Sequence, residues 1–142
     1  MRNCVALLTR GYVNIQDYDK LIKRNQHVSN NLISKQTTDI LVFHEGNITE
    51  THQQYIQKQT PDIRLQFIDI SSGAFLKENE SVPVESGHGF GIAYRHMCSF
   101  WFVDFWKFVT NYDYLLRIDE DCFIDFNIDQ VFDKMKTRYF VA

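Results

Sequence analysis

Three consecutive acids, Asp119, Glu120 and Asp121, follow an apolar run of strand length and are the side chains best suited to chemistry. In open α/β sheets ligands bind beyond the carboxyl ends of the strands, which is where these acids would lie. Side chains two positions apart on an extended strand point to the same side, so Asp119 and Asp121 are predicted to share a face. Their oxygens could hold a hard divalent cation, which would neutralise a diphosphate. The alternative is a solvated acidic turn, because Asp-x-Asp is a short motif with little specificity.

Arg117 lies two residues before Asp119 and is predicted to point to the same side of the strand. It would either bind phosphate through two parallel hydrogen bonds or pair with the neighbouring acids. Both interpretations remain open from the residues alone.

The elements that would position these acids alternate between strands and helices. Residues 3–9 form a continuous apolar run, typical of a strand buried on both faces. A helix is predicted from 14 to about 34, a strand at 39–44, a weak helix at 50–59 and a strand at 63–70. This alternation favours right-handed crossovers and a parallel sheet.

The second half of the chain contains a long loop and the elements around the acids. Residues 71–89 have no clear period, which is typical of a lid, a binding loop or a disordered stretch. The aromatic run from 92 to about 112 predicts a mostly buried helix, followed by the strand that ends at the acids. A short helix at 128–136 and the start of another strand at 139–142 complete the prediction.

Length and composition limit the classes of protein to which the chain can belong. The 142 residues predict one domain, and a hydrophobic content of 44% can build a core. A net charge of −3 with scattered basic residues argues against a nucleic-acid-coating protein. The sequence as written is expected to be soluble, because no apolar run could span a bilayer and the amino-terminal run is too short for a signal peptide.

Three cysteines, Cys4, Cys98 and Cys122, lie in apolar segments. No Cys-x-x-Cys pair is present, so their spacing matches no zinc site. We expect reduced, buried thiols, because free cysteine behaves as a small apolar side chain.

Two longer blocks are more specific than the acids alone. Tyr94–Phe100 resembles the Tyr-Arg-His-Met-Cys-Arg-Phe block of the family 15 glycosyltransferases, and Tyr112–Asp121 resembles their Tyr-Asp-Tyr-x-x-Arg-Val-Glu-Pro-Asp block. These enzymes are Golgi α-1,2-mannosyltransferases that use GDP-mannose and manganese. The match covers about residues 90–142. Two departures are that Asp-Glu-Asp replaces Glu-Pro-Asp and that Ser99 replaces an Arg.

The resemblance implies a fold and an activity. The fold would be α/β, a Rossmann-like, mostly parallel sheet with flanking helices that forms the nucleotide-binding half of a GT-A glycosyltransferase, with residues 1–142 as its single domain. The activity would be metal-dependent transfer of a sugar, most simply mannose, from a donor such as GDP-mannose to a glycan or glycoprotein acceptor, with retention at the anomeric carbon. By resemblance, such enzymes continue into an acceptor-binding half that residues 1–142 would lack. The unfinished sheet edge predicted at 139–142 makes a missing partner domain or a homo-oligomer a further expectation. Family members lie in the Golgi lumen, whereas the sequence as written is predicted to carry no signal peptide or transmembrane segment.

The resemblance also implies site residues. Asp119 and Asp121 would hold Mn²⁺ or Mg²⁺. The residues that would bind the nucleotide sugar are Arg10, Gly11, Tyr12, Tyr94, Arg95 and Arg117. An ordinary surface turn is the alternative for Arg10, Gly11 and Tyr12, and a packed helix is the alternative for Tyr94 and Arg95. Catalytic residues are not assigned, because by resemblance they belong to the absent half.

Two rival functions come from other classes. One is a non-catalytic module that binds a nucleotide sugar or a partner protein and derives from such an enzyme. The other is a metal-dependent nuclease or phosphatase built on the same acids. It would need further carboxylates converging on the site to hold two metals.

Overall fold

The computed structural model describes residues 2–74 and 92–138. Four strands form one sheet in the order β3-β2-β1-β4, and every neighbouring pair is parallel. The predicted α/β architecture with a parallel sheet is therefore confirmed. The strands are β1 (Asn3–Leu8), β2 (Thr38–His44), β3 (Leu65–Asp69) and β4 (Tyr114–Arg117).

Helices connect and cover these strands. A 3₁₀ turn (Ile15–Tyr18) leads into the first α-helix, which ends before the predicted residue 34 because Leu32 has an extended backbone at φ −118° and ψ 116°. The α-helices are α1 (Asp19–Asn31), α2 (Glu50–Gln59), α3 (Ile92–Ser99) and α4 (Ile128–Thr137). Within the described parts of the chain, none of them combines the length and the apolar character needed to cross a bilayer. The predicted strand at 139–142 and most of the predicted loop at 71–89 lie outside the described residues.

Apolar side chains fill both faces of the sheet. Val5 and Leu7 point to one face, where they pack with residues of α1 and α4. Cys4 and Ala6 point to the other face and pack with aromatic residues that follow α3. Burial on both faces favours apolar residues at the successive positions Cys4–Leu7, which explains the apolar run of β1.

The aromatic segment after α3 differs from the predicted buried helix. It continues as a π-helix (Phe100–Asp104) and a 3₁₀ helix (Phe105–Phe108). Phe100 and Phe105 pack against Phe43 of β2, with ring centroids 5.3 and 5.8 Å away. Only one side of the segment can contact the sheet, so its other side is exposed. The exposed fractions are 81% for Phe102, 62% for Val103 and 54% for Trp106.

The cysteines are free, but they are not all buried as predicted. Cys4 is buried in β1, and this burial raises the pKa of its thiol to about 12. Cys98 is half-buried, and Cys122 is exposed. The prediction was wrong for Cys122 because the residue lies in the turn after β4 and not within a strand.

The strand order creates a switch point between β1 and β4. The chain runs outward from β1 through β2 to β3, and it then returns to the opposite side of β1 to form β4. Loops leaving the carboxyl ends of β1 and β4 therefore diverge, and the crevice between them is where ligands bind in sheets of this kind. The loop Thr9–Tyr12, here called the first loop, and the acidic triplet Asp119–Asp121 both border this crevice.

Candidate functional site

A cleft of about 1230 Å³ opens at the carboxyl ends of β1 and β4. It brings together most of the predicted site residues: Arg10, Tyr12, Tyr94, Arg117, Asp119 and Asp121. Gly11 and Arg95 do not line it. Another cavity of about 850 Å³ lies between α2 and β3 and contains none of the predicted site residues. The cleft is therefore the candidate site.

Arg117 pairs with the acid two residues after it. Its Nε and Nη2 atoms donate to the two carboxylate oxygens of Asp119 at 2.7 and 2.9 Å. Its guanidinium also lies over the ring of Trp101, 4.2 Å from the centroid. Of the two interpretations that the sequence left open, pairing with a neighbouring acid is the one found in the structure. Both side chains are more than two-fifths exposed, so the pair adds little to stability and mainly orients the two groups at the cleft.

Asp119 and Asp121 reach the cleft by a different route from the one predicted. β4 ends at Arg117, and a turn closed by the Cys122 amide donating to the Asp119 carbonyl at 3.0 Å carries the acids. The shared-face argument, which needs an extended strand, does not apply, yet both residues line the same cleft. Over residues 2–74 and 92–138 no three His, Cys, Asp or Glu side chains converge in a ready-made metal site.

Glu120 differs from its two acidic neighbours in that it contacts the first loop. Its carboxylate accepts hydrogen bonds from the hydroxyls of Thr9 and Tyr12, the latter at 2.6 Å. Burial and the hydrogen bond to Glu120 raise the pKa of the Tyr12 phenol. The middle acid of the triplet therefore joins the turn after β4 to the loop after β1.

The first loop has a second anchor on its other side. The backbone amide of Tyr12 donates to the hydroxyl of Tyr18 at 3.0 Å, and the two rings meet edge to face at 5.1 Å. The Tyr18 hydroxyl in turn lies 3.0 Å from Nδ1 of His52 on α2. Arg10 projects into solvent with its guanidinium 4.9 Å from the centroid of the Tyr12 ring, and the hydrogen bond with Tyr12 raises the Arg10 pKa. The loop thus presents a cation and an aromatic ring at the cleft.

Gly11 has a packing role in the structure. A Cβ atom at this position would lie 1.9 Å from the backbone oxygen of Asn47, in the loop after β2. Since real Cβ atoms do not approach backbone this closely, only glycine lets the two loops meet here. This contact explains the glycine without any ligand.

Two predicted residues lie on α3. Tyr94 lines the cleft and is 46% exposed. Arg95 is half-buried and lies outside the lining. Adjacent positions on a helix point in different directions, so the two residues do not face the cleft together.

Arg24 is a residue that the sequence reasoning missed. It is fully buried in α1, and its Nε and Nη2 atoms donate to the carbonyl oxygen of Ile118 at 3.1 and 3.0 Å. Its Nη1 atom donates to the side chain of Asn25 at 2.9 Å. Burial lowers the pKa of Arg24, and the negative charge of Asp119 opposes this shift. Its position between Leu21 and Val28, on the inner face of α1, was the available signal, because arginine is rarely placed there without a partner.

No protein-family model matches the chain, and a search of curated proteins also finds no match. Solved structures do match. The mannosyltransferase Ktr4p from S. cerevisiae superposes with a TM-score of 0.64 at 16% identity, over 94% of this chain and 37% of that one. The same protein in complex with GDP superposes with a TM-score of 0.59 at 16% identity, over 95% of this chain and 38% of that one. Core-mannan synthase A from Aspergillus fumigatus, in its Mn/GDP form, superposes with a TM-score of 0.67 at 15% identity, over 96% of this chain and 40% of that one.

These similarities concern the fold. At such low identity they establish that the chain shares an α/β fold with part of each of these structures, in agreement with the predicted fold class. The chain spans about two-fifths of the length of the structures it matches.

Proposed function

We propose that this chain is the nucleotide-binding part of a metal-dependent GT-A glycosyltransferase of the family 15 type. Its donor would be a nucleotide-diphosphate sugar, most simply GDP-mannose, and a glycan or glycoprotein would accept the sugar with retention at the anomeric carbon. The observation that carries this proposal is the meeting of the first loop and the acidic triplet across one cleft at the switch point of the sheet. The similarity of the fold to core-mannan synthase A in its Mn/GDP form supports it.

The acids at the cleft fit Mn²⁺ or Mg²⁺ as the cation. Asp119 and Asp121 offer only carboxylate oxygens, which are the ligands that these hard cations prefer. Two carboxylates leave coordination positions for diphosphate oxygens and water. The bound cation would supply Lewis-acid neutralisation of the charge that develops on the leaving diphosphate.

The basic and aromatic residues of the cleft have separate roles in this proposal. Arg117, held by Asp119 and stacked on Trp101, turns its remaining N–H groups toward a phosphate. Arg10, Gly11 and Tyr12 border the base and ribose, with Gly11 acting through the path of the backbone. Two residues of α3 complete the donor side, Tyr94 at the cleft and Arg95 behind it.

Binding of GDP tests the proposal. We expect titration calorimetry to detect GDP binding in the presence of Mn²⁺ and little binding with EDTA. Asp121→Ala should weaken this binding at least about tenfold, because a charge-assisted metal ligand is lost. Asp133→Ala is the matched control, since Asp133 is exposed on α4 and pairs only weakly with Lys136 at 3.3 Å. GDP binding that is unchanged both by removal of the metal and by Asp121→Ala would refute the assignment of the site.

A non-catalytic nucleotide-sugar-binding module is the second candidate. The specific observation in its favour is that the chain spans about two-fifths of the enzymes it matches. The open edges of β3 and β4 in the described sheet would suit a partner domain or a second copy of the chain. Incubation with GDP-mannose, Mn²⁺ and a mannoside separates the candidates. Release of GDP with transfer favours the enzyme, whereas binding without turnover favours the module.

A further inference from the structure

Glu120 contacts the first loop through both of its carboxylate oxygens, whereas Asp119 pairs with Arg117. One carboxylate oxygen accepts from the hydroxyl of Thr9, and the other accepts from the hydroxyl of Tyr12 at 2.6 Å. Both donors belong to the first loop, more than 100 positions earlier in the chain. Both oxygens of the middle acid are therefore already engaged by protein hydroxyls.

The donors that reach Glu120 are themselves fixed. Thr9 is buried, and its backbone amide donates to the carbonyl oxygen of Phe43 in β2 at 3.0 Å. Tyr12 is tied through its own amide to Tyr18, which contacts His52 of α2. Glu120 thus connects the turn after β4 to a loop that is held on its far side by β2 and α2.

We propose that Glu120 is a positioning residue that latches the first loop to the turn after β4. We call Thr9, Tyr12 and Glu120 the loop latch. The members of the triplet then differ in role: Asp121 and the Arg117-paired Asp119 line the cleft where a ligand would bind, and Glu120 holds Arg10 and the Tyr12 ring beside them. For its effect on nucleotide binding, this inference rests on the proposed function. A proline at position 120, as in the Glu-Pro-Asp block of the family 15 enzymes, has no side-chain acceptor for these hydroxyls.

If the loop latch holds the first loop in place, removing the negative charge of Glu120 should loosen that loop. Glu120→Gln keeps the size of the side chain but replaces a carboxylate by a neutral amide with a single acceptor oxygen. Hydrogen bonds to an ionised acceptor are about twice as strong as neutral ones, so the first loop should open more often. The backbone amide of Tyr12 reports on this opening, because its hydrogen bond to Tyr18, in the 3₁₀ turn after the first loop, breaks when the loop moves away.

Hydrogen exchange of the ligand-free protein tests the latch directly. We expect the first-loop amides to exchange about tenfold faster in Glu120→Gln, while β1 and β2 keep their protection. Glu50→Gln is the matched control, since Glu50 is exposed at the start of α2. Unchanged exchange in the first loop, or faster exchange throughout the sheet, would overturn the proposal.

Tyr12→Phe provides a second variant that keeps the aromatic ring and removes one donor of the latch. If Tyr12 and Glu120 act through the same contact, the double variant should exchange no faster than about the more affected single variant. Fully additive effects would mean that the two side chains act independently, which would contradict the latch.

Ligand binding separates the latch from the metal site. Glu120→Gln should weaken binding of GDP with Mn²⁺ about tenfold, yet leave binding of Mn²⁺ alone within about twofold of wild type. A loss of Mn²⁺ binding as large as that of Asp121→Ala would identify Glu120 as a metal ligand and overturn the inference. If the wild-type protein binds no GDP, the proposed function fails, and the exchange data still decide the latch.

Discussion

A buried cation lies directly behind the acids of the cleft. Arg24 donates two hydrogen bonds to the carbonyl of Ile118, the residue that precedes Asp119. A buried charge is expensive unless its donors are satisfied, and here a carbonyl and an amide oxygen accept from all three nitrogens. The guanidinium therefore fixes the backbone where the acidic turn begins, and the negative charge of Asp119 opposes the lowering of the Arg24 pKa by burial.

His44 makes the stability of the fold depend on pH. It is buried at the end of β2, its Nδ1 atom accepts from the amide of Gly46 at 3.1 Å, and burial lowers its pKa despite the opposing charge of Asp69. The unfolded chain therefore takes up a proton near pH 6.5, where the folded protein does not. We expect the free energy of unfolding to fall as the pH drops from about 7 toward 5.

Urea denaturation at pH 7 and pH 5 measures this dependence. His44→Gln should remove part of it, because glutamine cannot be protonated in this range. His27→Gln is the comparison, since His27 is only half-buried. An unfolding free energy in the wild type that is the same at both pH values would contradict the role of His44.

At the scale of elements, the site is built by loops that pack on one another. The loops after β1 and β2 meet at Gly11 and Asn47, and the loop after β1 meets the turn after β4 at Glu120. Parallel strands end on the same edge of the sheet, so these contacts follow from the topology. The strands supply rigid ends, and the loop contacts set where the side chains of the cleft lie.

Gly11→Ala should damage this arrangement. The new Cβ would lie 1.9 Å from the carbonyl oxygen of Asn47, a backbone atom that cannot move without shifting its loop. We expect a loss of about 1–3 kcal/mol in the free energy of unfolding, as for other overpacked sites. Chemical denaturation measures the loss.

Gly73→Ala is the control for this substitution. Its Cβ would lie 3.3 Å from the end of the Phe108 ring, which is a much milder contact. A Gly11→Ala protein as stable as the control would show that the two loops separate easily in solution.

At the scale of the whole molecule, ligand binding should be coupled to stability. A ligand that binds only the folded state, present at 100 times its Kd, adds about 2.7 kcal/mol to the free energy of unfolding. For a domain of this size we expect GDP with Mn²⁺ to raise Tm by roughly 5–10 °C. Thermal unfolding followed by circular dichroism measures the shift. At the same ligand concentration Asp121→Ala should reduce it to about half or less, because binding at least about tenfold weaker adds at most about 1.4 kcal/mol. An equal shift with GDP and EDTA would argue against a metal-dependent site.

Much of the fold was predictable from local patterns. The unbroken apolar run at 3–9 indicated a strand buried on both faces, and the alternation of strands and helices indicated a parallel sheet. The position of the acids after a strand indicated a site at its carboxyl end, where the cleft lies. These features depend on residue type and period along the chain, which the sequence contains directly.

Tertiary structure alone decided how the acidic triplet is used. Glu120 differs from its neighbours because its carboxylate oxygens are engaged by Thr9 and Tyr12, 111 and 108 positions earlier. Arg24 is held by Ile118, 94 positions later, and Cys122 is exposed because a turn follows β4 at once. Local spacing cannot contain such contacts, since the direction of a side chain in a turn is set by whatever the fold brings against it.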